Sequence, residues 1–108
     1  MIKWNELYKQ LKSELKNELN VEVVHIGYGD RYYNEYGDEL VFTIAGNEYR
    51  VGYSNITEDR DDWGQAESYS NEWCRCNDEH ISPEKVIEII SNYKILERDF
   101  KLNKLGIN

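Results

Sequence analysis

Residues 39–53 read ELVFTIAGNEYRVGY. Two runs rich in β-branched and aromatic residues, 39–45 and 48–53, flank the dipeptide Gly46-Asn47. Glycine and asparagine tolerate the positive φ angles that tight hairpins demand, so the stretch reads as two antiparallel strands. In the second run Tyr49, Val51 and Tyr53 share one face and Glu48, Arg50 and Gly52 the other. One face packs and one meets water, as an antiparallel sheet permits.

Outward from this hairpin, residues 21–27 (VEVVHIG) read as another strand, rich in β-branched side chains. The Gly- and Tyr-rich stretch 27–39, GYGDRYYNEYGDE, reads as a long loop or as a strand extension with a bulge at Gly29. Residues 54–70 are polar and acidic around TEDRDD, and an irregular connection is expected there, with at most a helical turn. In 71–76, NEWCRC, Trp73 and Arg75 alternate with Cys74 and Cys76, which predicts a fourth strand.

The ends are helical. Trp4, Leu7, Tyr8, Leu11, Leu15 and Leu19 recur at steps of three and four, predicting an amphipathic helix over 3–19 that stops at Asn20. Ser82 is a good N-cap, Pro83 suits the first helical position, and Glu84 complements the dipole. Val86, Ile89, Ile90, Tyr93, Leu96 and Phe100 then keep helical spacing, with Gly106 as a C-terminal cap. The expected fold is a single α+β domain over 1–108. It comprises an N-terminal helix, an antiparallel sheet of three to four strands and a C-terminal helix, both helices lying on one sheet face. The other face is left to solvent.

The chain carries a net charge of −8. The acidity is concentrated between Tyr28 and Ser82, where 13 carboxylates face four arginines and nine Tyr and Trp residues are gathered. Such a charge disfavours nonspecific binding to nucleic acid or anionic membranes and favours encounter with basic partners. No apolar run is long enough to span a bilayer, and the start, MIKWNELYKQ, lacks the apolar centre of a signal peptide. A cytoplasmic protein is expected, with Cys74 and Cys76 as reduced thiols. The Asn-, Lys-, Ile- and Tyr-rich composition points to an A/T-rich bacterial or phage source.

Motifs for chemistry are weak. Cys74, Cys76, His80 and His25 are zinc-type donors, but C-x-C is tighter than paired zinc thiols usually are and no second pair exists. Asp59, Asp61 and Gly64 match three positions of a calcium loop, yet Trp63 and Ser70 stand where ligands are needed. His25 and His80 sit in no catalytic motif, and no P-loop, Rossmann fingerprint or G-x-S-x-G is present. No enzyme activity, metal or cofactor is expected.

The acidic-aromatic middle reads instead as a recognition face. Tyr and Trp supply rigid contact area, and carboxylates pair with Arg and Lys. Same-strand residues rise about 3.3 Å each, near the roughly 3.4 Å of axis per phosphate on one nucleic-acid strand. The expected partner-binding residues are Asp30, Tyr32, Tyr33, Glu35, Tyr36, Asp38, Glu58, Asp59, Asp61, Asp62 and Trp63.

In small size, acidity, composition and the stretches YGDRYYNEYGDE and TEDRDDW, the chain resembles phage and mobile-element inhibitors, the anti-CRISPR proteins and other nucleic-acid mimics. That resemblance implies a protein that blocks a basic nucleic-acid-binding protein, a CRISPR effector or another nuclease, by occlusion or phosphate mimicry. It transfers no individual residue. Two alternatives share the composition: an immunity protein that neutralises a nuclease toxin, and a structural domain that self-associates through a helix stripe. A monomer or a homodimer is expected, and the self-associating domain predicts a concentration-dependent dimer.

Overall fold

The hairpin at the middle of the sequence is also the middle of the sheet. The computed structural model describes residues 2–59 and 66–106. Within it Tyr33–Ile44 (β2) pairs with Asn47–Asp59 (β3), from Tyr33 opposite Glu58 to Ile44 opposite Asn47. The turn is Ala45-Gly46, one residue earlier than Gly46-Asn47. Both turn residues have positive φ, 51° and 81°. The apolar pattern decides this register: it places Leu40, Phe42 and Ile44 on the same face as Tyr49 and Val51, and a one-residue slip would expose half of them. Asn47 therefore opens β3. The Ala45 N–H donates to the Glu97 carboxylate at 2.7 Å.

Glu22–Gly29 (β1), Ala66–Cys76 (β4) and Glu79–His80 (β5) complete an antiparallel meander in the order β1-β2-β3-β4-β5. The sheet thus has a short fifth strand beyond the three to four expected. It follows a turn at Asn77 and Asp78, both at positive φ. Two other expectations change. Register runs unbroken to Gly29 opposite Asn34, so there is no bulge, and most of 27–39 is strand. Residues 54–59 and 66–70 are also strand, where an irregular connection was expected. These segments have polar residues on both faces, so no apolar alternation marks them in the sequence. The backbone ladder pairs them, helped by the cross-strand bonds Thr57–Ser68, Tyr69–Glu58 and Ser70–Asn55 and by the buried Ile56.

The helices cover one face at one end. Ile2–Lys12 (α1) is shorter than the expected 3–19. Past Lys12 the Ser13 amide and hydroxyl both donate to the Lys9 carbonyl, and Leu15 N–H reaches back to Gln10, which tightens the chain into turns. Leu15 and Leu19 still pack on the core. The expected C-terminal helix is two helices, Pro83–Ser91 (α2) and Tyr93–Lys104 (α3). Asn92 breaks them at φ −115°, its amide bonded to Ile89 and its side chain donating to the Glu88 carbonyl. The Ser82 hydroxyl caps α2 by accepting from Lys85 N–H at 3.1 Å, and Gly106 takes φ 77° after α3, as expected.

Leu7 and Leu11 from α1, Leu40 and Ile44 from β2, Val51 from β3 and Val86 from α2 form the fully buried centre of the core. Both helical ends therefore pack on one sheet face. They stop near Tyr53, where the Tyr8 ring meets it edge-on at 5.5 Å. Beyond that line β1–β4 continue with exposed polar residues on the former helix side, including Asn55, Thr57, Ser68 and Ser70. The fold is a packed head with an uncovered β-arm, roughly residues 27–37, 54–59 and 66–71.

Candidate protein-binding arm

A strand presents alternate residues to opposite faces, so the register sorts every side chain of the arm. On the face away from the helices, successive rows across the sheet are Tyr33–Glu58–Glu67, then Tyr28–Glu35–Ile56–Tyr69, then Ile26–Gly37–Ser54–Asn71, then Val24–Glu39–Gly52–Trp73. On the helix side, Tyr36 and Asn55 share a row with Gly27 and Ser70, and Asp38 shares one with His25, Tyr53 and Glu72. Among the described residues, 28–36, 54–59 and 66–72 hold six carboxylates against Arg31.

The expected binding residues are divided by this geometry. Tyr33, Glu35 and Glu58 come together on the open face. Tyr36, Asp38 and Asp59 lie on the opposite face. Asp30 and Tyr32 form the turn that joins β1 to β2. Asp61, Asp62 and Trp63 lie outside the described residues. The single surface expected from the sequence is therefore two faces and a tip. Tyr28, Glu67 and Tyr69, absent from the expected set, belong to the open face. Period-2 counting from Tyr33 and Glu35 would have found them, had 27–29 and 66–70 been read as strand.

Several of these groups have structural duties. Asp30 Oδ1 accepts from the amides of Tyr32 and Tyr33, both at 2.8 Å, and Oδ2 accepts from the Tyr28 hydroxyl. Those two amides, Tyr32 first, hold the Asp30 carboxyl below its ordinary value. The Tyr28 phenol is pushed up by that same carboxylate, and the Tyr33 phenol by its hydrogen bond to Glu35. The Tyr32 carbonyl accepts from Asp59 N–H at 2.8 Å, so the turn is tied to the end of β3. Tyr36 is exposed, its ring lying over Gly27 and Gly29. The Tyr69 hydroxyl donates to Glu58 at 3.0 Å. Asp38 lies 2.5 Å from His25 Nδ1 and also accepts from Tyr53.

No family model matches this chain, and no curated protein or solved structure is detectably similar to it.

Where the arm joins the head, the open face carries a denser network. The Trp73 indole lies flat over Gly52, where any side chain would strike it at 2.6 Å, and its N–H reaches across β3 to Glu39 at 2.8 Å. Glu39 also receives Arg50 at 2.6 Å, and Arg50 Nε bonds Glu48 at 2.9 Å. These two glutamates, Glu39 first, push the Arg50 guanidinium further above its ordinary value. The zinc-type donors do not converge: Cys74 and Cys76 face the helix layer, while His80 pairs with Arg75 on the other face. Among the described residues no group of three or more His, Cys, Asp or Glu could hold a metal, and no helix is long and apolar enough to cross a membrane. Burial pushes the Cys74 thiol up to about 11, which makes it a poor nucleophile. The arm offers hydrogen-bond acceptors, negative charge and aromatic rings, the complement of a basic protein surface.

Proposed function

We propose that this protein is a non-catalytic inhibitor that uses its β-arm to occupy the basic, nucleic-acid-binding surface of another protein. The target class is a nuclease of a bacterial host cell, such as a CRISPR effector, and the inhibitor acts in that cytoplasm. The observation that carries this reading is the arm itself. Three long strands run past the helix layer with polar groups on both faces, and they add little to the core. A sheet extended beyond its core needs another reason to be long. Here the extension carries carboxylates and tyrosines, and residues Glu58 and Glu67 stand directly opposite each other across β3 and β4. Carboxylates directly opposite each other on neighbouring strands repel, and here the Tyr69 hydroxyl offsets part of that by bonding Glu58. Against a groove evolved for phosphates they replace the nucleic acid's charge and release the groove's counterions.

The test uses the tagged full chain as bait in lysate from a host carrying nuclease defence systems, with a salt gradient as eluent. The expected catch is a basic nucleic-acid-binding protein, released by moderate salt and displaced by its own nucleic acid. Changing Glu58→Lys and Glu67→Lys together reverses the local field but also removes the Tyr69–Glu58 hydrogen bond, so the variant is used once circular dichroism and Tm show its fold kept. That variant should lose the catch. A column that retains only copies of the bait, or a partner indifferent to salt and to this variant, overturns the reading.

A further inference from the structure

On the open face, β2 presents Glu35, Gly37 and Glu39 in succession. Gly37 carries no side chain and presses against β3, where the Tyr53 carbonyl oxygen stands 1.9 Å from the place a Cβ would take. The surface between the two glutamates is therefore a shallow well floored by backbone and Ser54. Ile26 on β1 and Asn71 on β4 stand in the same row and close its sides. The Trp73 ring borders it next to Glu39, and the resulting groove encloses about 520 Å³. Ser54 lines this groove, is 0% exposed, and its hydroxyl has no hydrogen-bond partner. A buried hydroxyl without a protein partner is uncommon, and a bound water, an ion or a ligand group can satisfy it.

We propose that this well is a subsite for an arginine side chain of the basic partner. The inference rests on the binding function proposed above and specifies its chemistry. A guanidinium is planar, carries five donors and tolerates partial dehydration better than an ammonium. Glu35 flanks the well with an acceptor, and Glu39 adds negative charge while its two oxygens hold Arg50 and Trp73. The Ser54 hydroxyl accepts from below, and Trp73 offers an aromatic surface of the kind guanidinium groups stack on. The molecule already shows this chemistry once, where Arg50 bonds Glu39 and Glu48. Arg75 and His80 border the other end of the groove, so the incoming cation is drawn to the Glu35 side. An ammonium lacks the planar fork, which makes arginine preferred over lysine.

Ser54→Ala isolates the claim from folding, because it deletes a hydroxyl that bonds nothing and should leave Tm unchanged or higher. The isotope-labelled full chain is titrated with hexa-arginine and with hexa-lysine peptides, observed by amide and indole NMR. Hexa-arginine should bind more tightly and shift Ser54, Asn71 and the Trp73 indole N–H. A hydrogen bond to a charged group predicts that Ser54→Ala weakens it roughly tenfold. If both peptides bind equally, ignore Ser54→Ala and are lost only in the Glu58→Lys, Glu67→Lys variant, the subsite is wrong and the acidic arm stands. If neither peptide binds, both proposals fall.

Discussion

Val51 and Thr57 lie on the same strand and the same face, six residues apart, in opposite surroundings. Val51 is fully buried beneath the helices in the same cluster as Leu7, Leu40 and Val86. Thr57 is exposed, and its hydroxyl meets Ser68 across the strand at 3.4 Å. The ladder is continuous between them, so backbone pairing does not distinguish head from arm. Burial does. In the head, side chains remove apolar surface from water and hold the fold. In the arm they hold little.

The difference is broken most forcefully in the head. Leu40→Ala removes a fully buried side chain and should cost about 3 kcal/mol in denaturant unfolding. Thr57→Ala, in the arm, should stay within about 0.5 kcal/mol. Comparable losses at both sites would show that the arm is part of the core. At the joint between the regions, Gly37→Ala would put a methyl group 1.9 Å from the Tyr53 carbonyl oxygen. A clash with backbone cannot relax by a rotamer change, so about 2 kcal/mol should be lost. Amide exchange should rise along the arm before the head opens.

Smaller effects sharpen the same contrast. Ala45 occupies a left-handed position that asparagine fills more readily ahead of glycine, so Ala45→Asn should stabilise the head by about 0.5 kcal/mol in thermal unfolding. At the arm's tip, the Asp30 carboxylate is needed in its charged form. Because its folded-state value is depressed, its contribution is present above the ordinary aspartate value of about 3.9 and disappears as pH falls through the lowered one. Protection of the Tyr32 and Tyr33 amides, taken against the intrinsic exchange rate at each pH, should therefore fall in acid, with no matching change at Val51. Equal loss of protection at all three would mean that Asp30 reports global unfolding instead of a local turn.

The contrast also explains what could be read in advance. Leu40, Phe42, Ile44, Tyr49 and Val51 alternate cleanly because helices bury one side of them, and Ser82-Pro83-Glu84 announces α2 through backbone needs alone. In 54–59 and 66–70 no helix enforces alternation, so strands that owe their pairing to the ladder looked irregular. The break at Asn92 was hidden because Ile89, Tyr93 and Leu96 keep helical spacing across it. Tyr33, Glu35 and Glu58 were legible as binding candidates from composition. Their separation from Tyr36, Asp38 and Asp59 was not, because face assignment requires register. The well at Ser54 was invisible, since neither Gly37 nor Ser54 looks unusual until the register sets them side by side between two glutamates.

The length of the arm has a consequence for how the molecule moves. The chain extends 66 Å along one axis and about 25 Å across, with a radius of gyration of 17.5 Å. A compact chain of this size would measure about 13 Å. Such a rod experiences extra hydrodynamic drag, so on gel filtration a 12.9 kDa monomer should elute ahead of globular standards of its own mass. An early peak is thus the signature of its shape before it is evidence of a dimer. Sedimentation equilibrium, which weighs a particle without reference to its outline, is the measurement that separates the two.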